Sequence, residues 1–564
     1  MHYLNPIYSE ETHCRDCYKC IRECPVKAIR VVNGEAEVIP ESCILCGHCV
    51  DACPVGAKKV RDDLRRSIHL TKRKKKSILS LAPSFAGEFT NTTTGQLIHA
   101  IKRLGFYGVS ETALGAQEVS YAVGDMINKE SGLILSSACP AAVDLITKHL
   151  TKFSQYISPV LSPLLAHSIM LRHLYGQELG IVFAGPCIAK KQEADKFSDL
   201  LDIAITFEDL KKWFDANGIR SSEQECDETD VFIPRSAQNG SVYPVEGGMI
   251  STIRNRVRDS DAVYLTLSGV SNIRTALETL DDKLTGRKMF VELLACENGC
   301  VAGPKATNRA TIDSRLSVLD YASTKSESCT GDFREKIGYT FGAKQIAASN
   351  VTHEQICDTL ASVGKSNPED ELNCGSCGYG TCREFAIAMI EKKAEQCMCV
   401  SFMRSLAQKK ANALLKTIPY GVVIVDRELR IIECNDNFAK ALGDDVCDVF
   451  KICPGLRNAD LKKVLPFHGL FSQVLTTGND ITQHFVKTQE KTFALTIFTV
   501  ELHQVAGALI RDATKTELRR EQIIEKAQEV IRNTSATAQE IAFLMGKNAA
   551  QSEKILNSLT ESFS

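Results

Sequence analysis

The chain has 564 residues, 44% hydrophobic and 24% charged, which predicts about four globular domains rather than one core. Its net charge of −2 excludes a general attraction to nucleic acids or anionic membranes, and no apolar stretch suggests a membrane span or a targeting segment. The 23 cysteines lie in short-spaced clusters, which indicates metal ligands in a cytoplasmic protein rather than the disulfides of a small secreted domain.

The first 60 residues contain an internal repeat of cysteines. The spacing C-x2-C-x2-C-x3-C-P occurs twice, offset by 29 residues. This is the two-cluster ferredoxin pattern, in which the fourth cysteine of each set binds the other cluster. Paired zinc sites are the alternative, although zinc rarely uses three cysteines at this spacing. We predict an electron-transfer domain over residues 1–60, with two 4Fe-4S clusters. One is held by Cys14, Cys17, Cys20 and Cys53, and the other by Cys24, Cys43, Cys46 and Cys49.

Residues 61–76 are basic, with Arg65, Arg66 and the run from Lys72 to Lys76. A nucleic-acid patch is one interpretation of such a run, but a charged linker or a solvated helix between two domains is more typical. We predict a linker.

Strand-like and helix-like segments alternate over residues 77–345. The segment S-I-L-S-L-A-P-S-F opens the region as a short strand that ends at Pro83. We predict further strands at 132–135, 180–184, 262–267 and 289–294, and helices at 95–104 and 142–150. This alternation predicts an α/β domain with parallel sheets, arranged as two small βαβ lobes around a cleft.

Four cysteines follow strands of this α/β region. Cys139 and Cys187 each stand between an apolar run and a helix-like segment, and Cys296 and Cys300 follow V-E-L-L-A. Ligands gather at the carboxyl ends of parallel strands, and thiolates are soft metal ligands. Four buried core cysteines are the alternative, because free cysteine also packs as a small hydrophobic residue.

The blocks S-S-A-C-P, G-P-C-I-A-K-K and L-L-A-C-E-N-G-C resemble the three signature loops of the FeFe-hydrogenase catalytic domain. The resemblance implies an H-cluster, in which Cys139, Cys187, Cys296 and Cys300 hold a 4Fe-4S cluster. Cys300 bridges to a two-iron unit with carbon monoxide, cyanide and dithiolate ligands. It further implies that Lys190 holds one cyanide, and a buried ammonium facing an anion is physically reasonable.

Several positions depart from the hydrogen-producing pattern of that family. Ala138 replaces a proton-relaying cysteine, and Gly185 and Leu294 replace methionines that pack on the cofactor. V-A-G-P-K replaces a glycine-rich run, and residues 113–122 have no clear counterpart of the acidic relay. Positioned proton transfer contributes about 10²- to 10⁴-fold, so slow turnover is expected. Glu246 and Glu292 are candidate replacement relays, with ordinary paired carboxylates as the alternative.

A third metal motif lies within residues 355–400. Cys374, Cys377 and Cys382 precede Cys399, and the segment resembles a small four-cysteine iron-sulfur module of corrinoid and electron-transfer proteins. An amphipathic helix from Arg383 is expected to carry the chain to the last ligand. Cys397 competes as that ligand, and a structural zinc site is the alternative for the motif.

Residues 411–513 resemble a PAS sensor domain. The resemblance is based on the order of a strand, the turn D-R-E, a second strand and the helix start N-D-N-F-A. Its three histidines, His468, His484 and His503, are better explained as surface or core residues than as haem ligands, so no PAS cofactor is predicted. Residues 514–564 are predicted to form an amphipathic signalling or dimerisation helix, which indicates a homodimer or a partner protein.

The predicted fold is thus a multidomain α+β and α/β chain: a two-cluster ferredoxin-like domain, a two-lobed α/β hydrogenase-like domain, a four-cysteine iron-sulfur module, and a PAS domain with a C-terminal helix. The order resembles that of sensory FeFe-hydrogenases, which implies slow, reversible conversion of hydrogen to protons. Implied partners are an electron-carrier protein and a signalling kinase or phosphatase. Alternatives are an iron-sulfur redox or assembly protein lacking the two-iron unit, and a metabolic hydrogenase.

Overall fold

The computed structural model divides into two compact units, Met1–Met398 and Cys399–Ser564. The residues it describes are 5–10, 13–129, 131–254, 257, 261–281, 283, 286–307, 312–324, 337–344, 350–488, 491–513, 529–532, 534, 535 and 537. Among these residues, no helix combines the length and the apolar character needed to cross a bilayer.

The first segment of the first unit follows the cysteine repeat. A short helix begins near the third cysteine of each half, and the residue before it has a left-handed backbone in both: Tyr18 at φ 54° and Gly47 at φ 88°. β1 pairs with β4 and β2 with β3, all antiparallel. The elements are β1 (Ile7–Ser9), α1 (Lys19–Glu23), β2 (Ile29–Val32), β3 (Glu35–Val38), α2 (His48–Ala52) and β4 (Lys58–Val60).

The segment predicted as a basic linker is instead built into this unit. Residues Leu64–Arg73 form helix α3, and Asp63, directly before it, is fully buried. Its carboxylate accepts hydrogen bonds from Arg61 and from Lys191, a lysine that is itself fully buried. The sequence did not indicate these buried contacts, because exposed basic residues dominate the composition of the helix, whereas the aspartate at its start forms ion pairs in the interior.

Two parallel sheets form the α/β region. One has the strand order β6-β5-β8-β9 and the other β10-β11-β7, as the alternation of segments predicted. Strands β5, β8 and β11 are buried along their whole length, which suits central strands of parallel sheets. The strands are β5 (Ser77–Leu81), β6 (Gly108–Glu111), β7 (Leu133–Leu135), β8 (Gly180–Gly185), β9 (Ile203–Thr206), β10 (Val263–Ser268) and β11 (Met289–Leu294).

Helices cover these sheets and close a core that spans both lobes. Thr93 and Thr206 are the N-caps of two of these helices, and each forms a capping box. The threonine side chain accepts from the backbone amide three residues later, and the side chain of that later residue accepts from the threonine amide. The helices are α4 (Phe85–Glu88), α5 (Thr94–Arg103), α6 (Ala113–Lys129), α7 (Pro140–His149), α8 (Pro163–Tyr175), α9 (Ala189–Lys196), α10 (Phe207–Ala216), α11 (Gly248–Arg254), α12 (Val270–Glu278) and α13 (Ile312–Ser323).

The four-cysteine segment packs α14 (His353–Ser362) against α15 (Cys382–Ile390) around Leu360 and Ala386. The helix predicted to run from Arg383 to the last ligand is shorter than expected. It ends at Ile390, because Lys392 adopts a left-handed backbone and the chain turns.

The second unit contains a five-stranded antiparallel sheet in the order β13-β12-β16-β15-β14. Its core is apolar and lies between the sheet and short helices. The helix predicted over 514–564 lies almost wholly outside the described residues. The elements are α16 (Val400–Thr417), β12 (Gly421–Asp426), β13 (Ile431–Cys434), α17 (Asp436–Leu442), α18 (Asp444–Ile452), α19 (Leu461–Val464), α20 (Gly469–Thr477), β14 (Ile481–Lys487), β15 (Thr492–Glu501) and β16 (Val505–Asp512).

Candidate metal centres

Three strands from the two sheets deliver four cysteines to one place. Cys139 follows β7 and is the N-cap of α7, with a proline in the first helical turn. Cys187 follows β8 and precedes α9. Cys296 follows β11, and Cys300 begins a single 3-10 turn after it. Because all three strands are parallel within their sheets, the cysteines collect at carboxyl ends, as the strand pattern predicted.

These four cysteines line one cavity, which encloses about 400 Å³ of empty space, part of it open to solvent. The remaining wall is almost entirely apolar. It is formed by Leu45, Ala141, Pro186, Leu294, Ala295, Gly303 and Pro304, together with a fifth cysteine, Cys46. A dry wall with converging thiols suits a soft metal group better than it suits a polar substrate.

Three thiols of the cavity, those of Cys187, Cys296 and Cys300, hold their protons at neutral pH. Burial raises the pKa of Cys187 to about 11, and the negative charge of Cys139 acts in the same direction. Burial also raises the pKa of Cys296 and of Cys300 well above the ordinary value, reinforced by the neighbouring cysteines. Metal binding at this site must therefore release protons.

Lys190 lies in the first turn of α9, three residues after Cys187, and is buried. Its ammonium donates to the hydroxyl of Ser162 at 3.0 Å and to the carboxylate of Glu193 at 2.6 Å. Its positive charge lowers the pKa of both Cys187 and Cys300 against the larger effect of burial. A cation is thus held near the cysteines at a helix start, where the helix dipole alone would disfavour it.

The two candidate acids, Glu246 and Glu292, both accept hydrogen bonds from side chains of β10. Glu292 on β11 is buried and accepts hydrogen bonds from the Met249 amide at 3.0 Å and the Thr266 hydroxyl at 2.9 Å. Glu246 is partly exposed and accepts from the Ser268 hydroxyl, two residues further along the same strand. Burial raises the pKa of Glu292, and the charge of Glu246 adds to that shift.

The eight cysteines of the first segment form two groups that exchange their fourth members. Burial raises the pKa of Cys43 to about 11 and of Cys46 to about 12, and the nearby charge of Cys24 raises both. Cys49 is likewise affected by Cys24. Cys20 is affected by Cys17, Cys14 and Cys53. The structure therefore brings Cys24 to the second set and Cys53 to the first.

The loop of the second set is held against the α/β region. Lys148 donates to the carbonyl of Cys43 at 2.5 Å, and His149 contacts the carbonyl of Ser42 at 2.8 Å. A Cβ on Gly47 would overlap the ring of Pro304, so only glycine permits this approach. Sequence reasoning missed this contact, because a lysine and a histidine at a helix end are ordinary by composition.

The cysteines of the third motif are divided between the two compact units. Cys374, Cys377 and Cys382 lie in the first unit, and Cys399 begins the second as the N-cap of α16. Burial raises the pKa of Cys374, but hydrogen bonds from Ser376 and the backbone outweigh it and the pKa lies below its usual value. The thiol of Cys374 is therefore readily converted to a thiolate ligand.

Cys397, the competing ligand, has neighbours of its own within the first unit. Its sulfur lies 4.0 Å from the hydroxyl of Tyr18 and 3.5 Å from a carboxylate oxygen of Glu395.

Over the part of the chain that the structure describes, no group of three or more histidine, cysteine, aspartate or glutamate side chains converges on a single metal ion. That finding concerns single ions; in an iron-sulfur cluster each thiolate binds its own iron.

The three histidines of the PAS-like unit lie at separate places in it. His468 and His503 contact the carbonyls of Leu465 and Leu475, and His484 is exposed on β14.

Comparison with known protein families matches four regions of the chain. Residues 75–304 match the family "Iron only hydrogenase large subunit, C-terminal domain", and residues 6–54 match a 4Fe-4S dicluster domain. Residues 370–401 match a putative Fe-S cluster segment, which includes all four cysteines of the third motif. Residues 410–473 match a PAS domain.

Two curated relatives are hydrogenases. The NADP-reducing hydrogenase subunit HndD of Solidesulfovibrio fructosivorans is 23% identical over 367 residues, covering 51% of this chain and 62% of the relative. Iron hydrogenase 1 of Clostridium pasteurianum is 24% identical over 365 residues, covering 52% of this chain and 63% of the relative. The chain thus spans less than two thirds of the length of either relative.

A solved FeFe-hydrogenase structure, described in terms of oxygen inactivation of its H cluster, is 16% identical with a TM-score of 0.42. The match covers 51% of this chain and 100% of the solved chain. Separate regions of the chain thus match an iron-only hydrogenase large-subunit domain, a 4Fe-4S dicluster domain and a PAS domain.

Proposed function

We propose that this chain is a sensory FeFe-hydrogenase, which interconverts hydrogen and protons slowly and signals hydrogen or redox state through its iron-sulfur module and PAS domain. The observation that carries the proposal is the apolar cavity lined by Cys139, Cys187, Cys296 and Cys300 within a hydrogenase large-subunit domain. The residue before Cys139 is an alanine, which cannot carry a proton.

The residues present fit a 4Fe-4S cluster in this cavity. Four thiols converge from two lobes, the wall is apolar, and Lys190 supplies a nearby cation. Cys300 is the residue that would also bridge to a two-iron unit, and Lys190 the residue that would hold its cyanide. When bound, the H-cluster supplies the chemistry 2H⁺ + 2e⁻ ⇌ H₂.

Slow turnover is supported by what surrounds the cavity. Ala138 packs partly buried against the core, and offers no group that could pass on a proton. At Gly185, a Cβ would lie 2.5 Å from the ring of Phe183, so this ring occupies the space beside the strand. A methionine at this position would require the Phe183 ring to move.

Glu246 and Glu292 are proposed as the remaining proton route. Glu246 has access to solvent, whereas Glu292 is buried and its charge acts on Cys300. The hydroxyls of Ser268 and Thr266, which donate to the two acids, lie on the same face of β10. Together these groups connect the surface with the neighbourhood of the cysteines.

The signalling part of the proposal rests on the PAS domain and on the segments around it. We propose that the PAS region and residues 514–564 support a homodimer and bind a signalling partner such as a kinase or phosphatase. Electrons are proposed to exchange with a ferredoxin-type carrier protein in the cytoplasm.

An iron-sulfur redox or assembly protein that never binds the two-iron unit is the second candidate. It is favoured by the engagement of Lys190 with Glu193 and Ser162, which satisfies the ammonium without a cofactor. A metabolic hydrogenase is the third candidate, and Ala138 weighs against it.

Infrared spectroscopy of anaerobically reconstituted protein tests the proposal. The protein is supplied with iron, sulfide and a synthetic two-iron cofactor, and spectra are recorded with and without hydrogen. Carbonyl and cyanide bands that shift under hydrogen are the expected result. Filled 4Fe-4S sites without such bands would overturn the hydrogenase assignment and establish the second candidate.

A further inference from the structure

The four-cysteine module is docked onto the ferredoxin-like segment within the first unit. The amide of Val31, on β2, donates to the carbonyl of Lys393 at 2.9 Å, and the amide of Asn33 donates to Glu395 at 2.7 Å. Arg22 donates to the carbonyl of Ser376 at 3.3 Å. These contacts hold the part of the module that lies in the first unit at two places, near Cys377 and near Cys397.

Close packing accompanies the hydrogen bonds. Gly378 has a left-handed backbone at φ 94°, and a Cβ there would lie 2.8 Å from the side chain of Ile21. A side chain at position 378 would strain the backbone and would have to move Ile21 or the loop. The loop after Cys377 is therefore shaped to meet the helix that ends before Cys24.

Lys27 lies at the centre of this contact. Its ammonium donates to the carbonyls of Ile21 at 3.0 Å, Arg22 at 3.2 Å and Gly378 at 2.8 Å. Three neutral acceptors fix the position of the charge, and the side chain is half-buried. The charged groups that face it are Cys24, Glu384, Cys377 and Glu23.

We propose that Lys27 couples two cluster sites. It joins the loops that carry Cys24 and Cys377, and it places one positive charge between the site of Cys24, Cys43, Cys46 and Cys49 and the module site, to which Cys374, Cys377 and Cys382 belong. This inference rests on the proposed iron-sulfur occupancy of those cysteines. The inference couples the module electrostatically to one particular cluster site of the same chain. Domain order alone does not identify that site.

A fixed cation near a cluster favours its reduced form, because reduction adds one negative charge. Lys27 therefore raises the reduction potentials of both sites that it faces. The site of Cys14, Cys17, Cys20 and Cys53 provides an internal reference, because the cation that acts on Cys20 is Lys58. In addition, the negative charge gained when one coupled site is reduced offsets part of the positive charge of Lys27. The reduction potential of the other site is then raised less.

Potentiometric titration followed by electron paramagnetic resonance tests this coupling. The full-length protein is reconstituted with iron and sulfide alone, without a two-iron unit or hydrogen, and Cys377→Ser identifies the signal of the module. In Lys27→Gln, both coupled sites are expected to titrate at more negative potentials while the reference site is unmoved. Lys27→Arg, which keeps the charge, is expected to restore both.

Arg30→Gln is the matched control, because it removes a charge from the same segment at a side chain that is 51% exposed and paired with Glu37. It is expected to leave the potentials of the two coupled sites and of the reference site in place. After Lys27→Gln, a shift in only one of the coupled sites, in neither, or an equal shift in both coupled sites and the reference site would overturn the proposal.

Gly378→Ala provides a second test if Lys27→Gln lowers cluster incorporation. The added methyl group pushes the module from Ile21 while Lys27 stays in place, so only the module potential is expected to fall. An unchanged module potential would contradict the coupling. Because no hydrogen chemistry is involved, these results are independent of the infrared test of the proposed function.

Discussion

Glu292 illustrates how the role of one residue depends on its surroundings. It is the single acidic residue of β11, whose other side chains are apolar, yet both of its oxygens accept hydrogen bonds. Burial raises the pKa of Glu292, so its proton is retained to higher pH than in water. A carboxyl group with a raised pKa holds a proton more readily than an ordinary glutamate, which suits a relay.

Replacing Glu292 by glutamine should therefore slow proton reduction. The amide keeps the shape and one acceptor oxygen but cannot carry the proton, so the rate should fall by roughly 10²- to 10⁴-fold. Proton reduction with a chemical electron donor measures the rate, and infrared bands report whether the cofactor is still bound. Glu278→Gln, at a glutamate on α12 that is 54% exposed, is the control. An unchanged rate in Glu292→Gln with intact bands would exclude the relay.

His167 supports a prediction about acid stability. The ring is fully buried between two serines, with Nδ1 2.8 Å from Ser80 Oγ and Nε2 2.8 Å from Ser110 Oγ. Burial lowers the pKa of His167 to about 3, against 6.5 for an ordinary histidine. The unfolded chain binds the proton first, so the stability that neutral His167 contributes is complete above pH 6.5. It is lost progressively as pH falls toward about 3.

His167→Gln should flatten this dependence. Between pH 7 and pH 5 the wild-type free energy of unfolding should fall by up to about 1.4 kcal/mol per pH unit more than that of the variant. Urea unfolding of the metal-free protein at several pH values measures the difference. Parallel pH profiles for the two proteins would contradict the prediction.

Among the elements, α3 shows how a charged segment becomes part of a core. Burial raises the pKa of Asp63, but Lys191 and Arg61 outweigh it and the pKa lies below its usual value. Asp63 also accepts from Arg66, and Arg61 reaches on to Asp195 on α9. The network thus ties the start of α3 to the helix that carries Lys190.

Asp63→Ala should destabilise the first unit strongly. The change leaves the fully buried ammonium of Lys191 with Asp209 alone, and removing one partner of a buried ion pair costs about 3–5 kcal/mol. Urea unfolding measures this loss. Lys72→Ala, at an exposed position of the same helix, should change stability by less than about 0.5 kcal/mol. Similar effects for both variants would show that the network does not stabilise the fold.

Across the molecule as a whole, the metal sites are distributed unevenly between the two compact units. Fifteen of the sixteen predicted cysteine ligands precede Met398, whereas Cys399 alone belongs to the second unit. The core of the second unit is apolar and formed by its own sheet and helices. Its folding should therefore depend little on metal, while the first unit gains stability from every cluster it binds.

Calorimetry of the full-length protein should show this difference. Removal of iron with a chelator under mildly denaturing conditions should lower the transition of the first unit and leave that of the second nearly unchanged. A fragment comprising residues 400–564 identifies the second transition, and its circular dichroism melt should match it. A second transition that falls together with the first after iron removal would contradict the prediction.

Local patterns along the sequence were sufficient to identify the fold classes and the ligand types. Cysteine spacing predicted a dicluster ferredoxin domain, apolar runs predicted the strands of the parallel sheets, and short motifs indicated a hydrogenase-type domain; family matches confirm these assignments. Spacing and periodicity are local properties, so they are visible along the chain without knowledge of its three-dimensional path.

The contacts between distant residues, in contrast, emerge with the tertiary structure. Lys27 and Gly378 are 351 positions apart, Lys148 and Cys43 are 105 apart, and Asp63 and Lys191 are 128 apart. Residues 61–76 were predicted as a linker, because their sequence shows that the segment is charged. The sequence does not show that the partners of these charges lie on α9 and α10. Ion pairs and cation positions depend on contacts between remote segments, and these are fixed when the apolar core brings the elements together.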